Sequence, residues 1–254
     1  MLTPEQIEQY REDGYCVPDY RLSDETLEQI RALHEQFVAR HPNFRDYCPA
    51  ILCYDTSFLA FARDPKIVEM VGQVIGPDFA LWNSSFFAKP AKNGRKTPWH
   101  QDGEYWPIRP VATCTVWMAI DDSTTENGCL RVIRGSHKRA ELLAHETNSA
   151  PDLTLNQELP TSAYDESQAV DLVLEAGQMS LHDVFLVHGS EQNTSPNSRR
   201  GMTLRYMPLT SVFDRELAGR QYHDLNLGFD HTERTLFLMR GDDQTGRNDF
   251  RLRM

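Results

Sequence analysis

The 254-residue sequence predicts a mainly β fold, a double-stranded β-helix (jelly roll, cupin-like) with a helical buttress. Two patterns predict it. From Phe79 to Pro208 many short β-type segments follow one another between turn residues. No helical crossovers separate them, which argues for an antiparallel barrel or sandwich and against a βαβ fold. Ahead of Phe79 the apolar residues recur at helical spacing instead. All-β chains of this size commonly remain single domains. The expected organisation is one domain over 1–254, with a helical preface at 1–78, a jelly-roll core at 79–210 and a C-terminal extension at 211–254.

The preface opens at Thr3, which can cap a helix with Pro4 at its first position and Gln6 completing a capping box; Gly14 stops it. Tyr15 to Val17 reads as a short strand. Ser23 then caps a second helix with Leu27, Ile30, Leu33 and Phe37 on its buried stripe, and His34 and His41 are expected at the surface. Asp64 and Pro65 start another helix, buried through Ile67, Val68, Val71 and Val74 and ended by Gly76. Phe79 to Lys89 turns aromatic and β-like. Further strands are expected at Thr113–Ile120, Leu130–Ile133, Val170–Leu174, Met179–His188 and Gly201–Pro208. The stretch from Ala144 to Tyr164 lacks periodicity and reads as a long excursion over the mouth of a site.

Hydrophobic residues make up 40% of the chain and charged residues 25%, an ordinary globular composition. The net charge of -11 and the lack of a basic run argue against a nucleic-acid partner. No apolar stretch approaches the ~20 residues that span a bilayer, so no membrane partner is expected. The five cysteines are odd in number, scattered and free of any CxxC pair, which reads as reduced thiols and a cytoplasmic setting.

Chemistry concentrates in Thr97-Pro98-Trp99-His100-Gln101-Asp102-Gly103-Glu104-Tyr105-Trp106. Residues i and i+2 of a strand share a face at about 6.6 Å, so His100 and Asp102 can converge on one ion. A third ligand is on offer between Leu181 and Ser190, from His182 or His188. On one strand these would stand about 20 Å apart, so only one can meet the ion. Two histidines and a carboxylate on one face of an octahedral ion form the facial triad of non-haem Fe(II) oxygenases. The arginine pair Arg199-Arg200 follows, and a guanidinium suits the far carboxylate of a dicarboxylate co-substrate. Opposite strand parity lets at most one of the pair face inward.

His100-x-Asp102, then Glu126-Asn127-Gly128 through Arg134-Gly135-Ser136-His137-Lys138, then His188-Gly189-Ser190 and Arg199, resembles the phytanoyl-CoA dioxygenase family of Fe(II)/2-oxoglutarate oxygenases. The ordered set covers roughly residues 80 to 210. Arg134 departs from it, standing where a proline is expected. The resemblance implies His188 as the third ligand and Arg199, eleven residues on, as the 2-oxoglutarate arginine. Ser190, two residues past His188 on the same face of a continuing strand, can donate a hydrogen bond to the co-substrate carboxylate, and the resemblance implies Trp117 as a further co-substrate contact. The implied reaction consumes 2-oxoglutarate and O2 at Fe(II), releases succinate and CO2, and hydroxylates an unactivated C–H bond. Asp102 favours hydroxylation over halogenation, since related halogenases lack that carboxylate.

Tyr105 and Trp106 are expected to wall the substrate, and Asn83, Lys89 and Arg109 are polar candidates near the same strand ends. A small soluble metabolite is the expected substrate. Acyl-CoA and secondary-metabolite hydroxylation are alternatives within the family. A zinc-type hydrolase or isomerase, or a non-catalytic metal-bound jelly roll, would also be compatible with the triad.

Overall fold

The computed structural model describes residues 1–224 and 229–253. The first part of the chain forms α1 (Pro4–Asp13), β1 (Tyr15–Cys16), α2 (Asp24–Arg40), β2 (Tyr47–Cys48), α3 (Leu59–Ala62) and α4 (Pro65–Ile75). Next come β3 (Phe79–Lys89), β4 (Thr97–His100), β5 (Ile108–Arg109), β6 (Cys114–Ala119), β7 (Leu130–Ile133), β8 (Glu146–Thr147) and β9 (Gln157–Glu158). The chain continues through β10 (Ala169–Leu172), β11 (Met179–Asp183), β12 (His188–Ser190), β13 (Arg199–Pro208), β14 (Val212–Phe213), α5 (Arg215–Asp224) and β15 (Phe237–Arg240).

A seven-stranded sheet runs β1-β11-β6-β13-β3-β15, with β2 also on β3, and a four-stranded sheet runs β10-β7-β12-β4. Every strand pairing in the two is antiparallel, as the missing crossovers required. These sheets form the jelly roll, and α1 to α4 pack against the larger one.

The helix caps follow their sequence signals. Thr3 and Gln6 form a reciprocal box, Gly14 ends α1 at φ 85°, and the Asp64 carboxylate accepts from the backbone N–H groups of Lys66 and Ile67. Arg134 occupies its loop for a visible reason: it pairs with Asp13 at 2.8 Å, tying the turn after β7 to the end of α1.

Alternation divides the larger sheet into two chemistries. Cys114, Val116 and Met118 on β6, Met179 and Leu181 on β11, and Met202, Leu204 and Tyr206 on β13 join one apolar cluster with Leu27, Ile30 and Phe37 of α2 and Ile67, Met70 and Val71 of α4. The intervening residues, Thr115, Trp117, His182, Arg199, Thr203 and Arg205, line the interior between the sheets. The register of β3 shifts opposite Arg205 and Tyr206, where Leu81 and Asn83 face consecutive partners and Trp82 is the extra residue.

Three expectations are corrected. Met179 to His188 is not one strand: β11 belongs to the larger sheet, the chain turns through residues 184–187, and β12 belongs to the smaller one. The expected separation of about 20 Å between His182 and His188 therefore does not apply. His34 is buried, at 5% exposure, because it lies four residues after Ile30 and three before Phe37, on the same helical face. It stacks on Phe86 with ring centroids 4.3 Å apart, and His41 is half-buried near Phe37, Phe44 and Tyr54. The core strands do not end at Pro208 either, since β15 from the C-terminal stretch adds beside β3.

Burial pushes the His34 imidazole down to about 4. Between its ordinary value of 6.5 and about 4 the unfolded chain takes up a proton there that the folded chain refuses, so stability falls on acidification through that window. His34→Phe is expected to flatten the pH dependence of the unfolding free energy by up to about 1.4 kcal/mol per pH unit. Denaturant unfolding of both proteins across the window checks it; equal slopes would disprove the assignment.

Candidate active site

The interior between the sheets brings together residues far apart in sequence. His100 ends β4, Asp102 follows two residues later, and the register sets His188 of β12 directly opposite His100. One ligand atom from each of His100, Asp102 and His188 lies within 4.8 Å of the others. All three side chains are buried. Among the described residues no other cluster of potential metal ligands has this form.

The histidine tautomers are set by the backbone. Nδ1 of His100 lies 2.8 Å from the Pro98 carbonyl, and Nδ1 of His188 lies 2.9 Å from the Leu186 carbonyl. A carbonyl only accepts, so both rings hold their proton on Nδ1 and keep the Nε2 lone pair free. Burial lowers the basicity of both rings, that of His188 strongly. Burial alone would raise the Asp102 carboxyl, but the Arg205 charge and contacts with His182 and His188 outweigh it and hold the group well below the usual carboxylate range. Two neutral imidazoles and one ionised carboxylate are a donor set that fits Fe(II).

His182 joins this corner from the opposite sheet. Its Nε2 lies 3.6 Å from Asp102 Oδ2, and its ring centroid 4.9 Å from that of His188. Neither of its ring nitrogens has a hydrogen-bond partner among the described residues. Thr115 donates to the same Asp102 oxygen at 3.1 Å, while Arg205 Nη2 approaches the other at 3.4 Å.

Beyond the triad, a narrow slot between the sheets leads to Arg199 and is lined by Thr97, Trp117, Ser190 and Thr203. Arg199 is 2% exposed and forms no ion pair among the described residues. It donates through Nε and Nη2 to the Gly128 carbonyl and through Nη1 to the Phe87 carbonyl, and it lies over Trp117 at 5.2 Å. Burial pushes its basicity down to about 10. Arg200 faces the other way and pairs with Asp121 and Glu35, as parity requires. Two glycines shape the slot. Gly128 has φ +80, and a Cβ there would meet the Glu191 carbonyl oxygen at 2.3 Å; a Cβ at Gly201 would stand 2.3 Å from the Trp117 ring.

On the other side of the triad a cavity of about 540 Å³ opens toward the surface. Tyr105, Trp106 and Asn83 line it. So do residues 148–150 and 153–157 of the long excursion, which β8 and β9 fold back as a hairpin. Lys89 and Arg109 do not reach it. Lys89 is buried and donates to the Arg95 and Glu191 carbonyls, and Arg109 is exposed and donates to the Trp106 and Ile108 carbonyls. Lys89 follows strand parity into the interior but spends its charge on closing a loop.

Among the lining residues that escaped the sequence reading are Arg205, His231 and Arg234. Arg205 could have been found, since it shares the parity of Arg199 six residues earlier. His231 and Arg234 come from an irregular stretch with no period to read.

The model of a family described as phytanoyl-CoA dioxygenase matches residues 10–201. The chain belongs to the phytanoyl-CoA dioxygenase family. A phytanoyl-CoA dioxygenase domain-containing protein 1 homolog from Dictyostelium discoideum is 33% identical over 152 residues, covering 59% of this chain and 54% of that protein. The match therefore spans about half of that relative's length. The human protein named phytanoyl-CoA dioxygenase, peroxisomal, is 27% identical over 233 residues, covering 81% of this chain and 68% of its own. The solved apo structure of the non-haem monooxygenase ThoJ is similar with a TM-score of 0.74 at 25% identity, covering 98% of this chain and 87% of that one. With its His-Asp-His cluster, this family member is a 2-oxoglutarate-dependent non-haem iron dioxygenase whose cofactors are Fe(II) and 2-oxoglutarate. Among the described residues no helix is long and apolar enough to cross a membrane.

Anaerobic Fe(II) at a hundredfold excess over its dissociation constant is expected to stabilise the protein by about 2.7 kcal/mol. His188→Ala should lose that stabilisation, and an unchanged metal-induced rise in melting temperature would remove His188 from the ligand set. Gly201→Ala is expected to cost about 1–3 kcal/mol through overpacking. Because Trp117 must move, its fluorescence should shift as well; a stable variant with an unshifted spectrum would contradict the packing.

Proposed function

We propose that this oxygenase hydroxylates an unactivated C–H bond of a small soluble metabolite, with release of succinate and CO2. The observation that carries the reading is the position of the triad between a narrow slot ending at a buried arginine and a roomier cavity open to solvent. One side suits a fixed co-substrate and the other a variable substrate.

His100, Asp102 and His188 would hold the iron, with the Nδ1 hydrogen bonds keeping both imidazoles in the ligating tautomer. When bound, Fe(II) with 2-oxoglutarate and O2 supplies the oxidising power, coupling decarboxylation to transfer of one oxygen atom into the C–H bond. Arg199 would receive the far carboxylate of 2-oxoglutarate, for which a buried guanidinium without a carboxylate partner is suited. Trp117 would flank that molecule, and Ser190 would offer it a hydroxyl. Tyr105, Trp106 and Asn83 would hold the substrate, while the 148–157 excursion limits the entry of water.

The preface, core and C-terminal stretch act as one domain in this reading, because α2 and α4 support the ligand-bearing sheet and the tail lines the substrate cavity. The five unpaired thiols suit a reducing compartment such as the cytoplasm. The peroxisomal human relative leaves other destinations within the family.

Anaerobic titration of the Fe(II) protein with 2-oxoglutarate is expected to produce a weak visible charge-transfer band. His188→Ala should abolish the band. Arg199→Ala should require roughly ten- to a hundredfold more 2-oxoglutarate, the range expected for a lost charge-assisted hydrogen bond. An unchanged midpoint in Arg199→Ala would refute its assignment, and no band despite bound iron would refute co-substrate chelation. With the band established, succinate release dependent on an added metabolite identifies the substrate.

A further inference from the structure

The cavity has a charge pattern of its own. The chain carries a net charge of -11, yet among the described residues the cavity lining includes three arginines, Arg95, Arg205 and Arg234, and one carboxylate, Asp102, which belongs to the triad. Arg95 lies 3.7 Å from Asp46, and Arg205 approaches Asp102 itself. Arg234 has no ion pair among the described residues.

Arg234 is 3% exposed. Its Nε donates to His231 Nδ1 at 2.6 Å and its Nη1 to Asn83 Oδ1 at 2.6 Å, so both contacts are with neutral acceptors and leave the charge uncompensated. Nη2 has no hydrogen-bond partner among the described residues. The guanidinium is held over Trp82 at 5.4 Å and Phe229 at 4.6 Å, which fixes its plane without satisfying Nη2. His231 and Asn83 line the same cavity. A buried, oriented cation with a vacant donor is costly for the fold unless something anionic meets it.

We propose that Arg234, braced by Asn83 and His231, is an anchor for an oxyanion of the substrate, so that the metabolite carries a carboxylate or phosphate group in addition to the C–H bond that is oxidised. This rests on the oxygenase reading for the reaction, but the anion site is a separate claim about the cavity wall. It also gives the C-terminal stretch a part in specificity, since β4 and β12, with Asp102, supply the metal side and residues 231 and 234 supply the anchor.

The test uses the full chain with anaerobic Fe(II) and saturating 2-oxoglutarate, so that Arg199 is already engaged. Isothermal titration compares linear carboxylic acids of about four to eight carbons with their amides and alkyl monophosphates. Wild type is expected to prefer one class of anion over the matched amide by roughly ten- to a hundredfold, as a charge-assisted hydrogen bond gives. Arg234→Gln should erase the preference, Arg234→Lys restore part of it, and Arg109→Gln, outside the cavity, leave it intact. The acid and phosphate arms tell the two sources of negative charge apart. Equal binding of acid and amide by wild type, no binding by any anion, or a preference surviving Arg234→Gln would each overturn the proposal. The wild-type comparison stands even if a variant fails to fold. The charge-transfer band is read in the same samples: its absence counts against co-substrate chelation alone, and its presence without anion preference counts against the anchor alone.

Discussion

The alternation of side chains along the larger sheet is the constraint on which the rest of the structure depends. A strand can give one face to water-excluding helices only if every second residue is apolar. On β6, β11 and β13 those residues pack with α2 and α4 in a continuous core. The residues between them are thereby committed to the interior, where Thr115, His182, Arg199, Thr203 and Arg205 line the slot beside the triad. A register slip of one residue on β13 would send Arg199 and Arg205 into the helices and Leu204 and Tyr206 into the site. Folding and site assembly are thus governed by the same period of two.

That period also explains what could be read from the sequence. The extents of β3 and β7, the inward turn of Arg199 and the outward turn of Arg200 follow from alternation and turn residues. Periodicity within one segment carries no information about which sheet the segment joins. His182 and His188 share a parity, but a turn at residues 184–187 transfers the chain from one sheet to the other and lets both rings reach one corner. Arg205 was legible by the parity rule applied to Arg199. Arg234 was not, because its place depends on how an irregular stretch lies across β3, where it bonds Asn83.

Buried charge is treated differently at different points of this interior. Asp102 is surrounded by Arg205, Thr115 and His182, so its negative charge is stabilised before any metal arrives. The lowered basicity of His100 and His188 favours neutral rings, the state a metal requires. Arg199 instead has carbonyl oxygens and an aromatic face, which orient a cation without neutralising it. The first arrangement fits a dication and the second an anion. Their nearness within one slot is the electrostatic ground for the proposed pairing of a metal with a dicarboxylate.

Rigidity at the metal and variability at the cavity follow from where each is built. His100 and His188 sit on paired strands whose backbone carbonyls also fix their rings, so a ligand can move only if the smaller sheet moves. The cavity wall draws on the 148–157 excursion and on residues 229, 231 and 234, stretches whose sequence can change without disturbing a strand register. Part of the cavity wall can therefore vary without moving the His-Asp-His cluster, whereas Asn83 on β3 and Tyr105 and Trp106 just past Asp102 tie the rest of that wall to the strands.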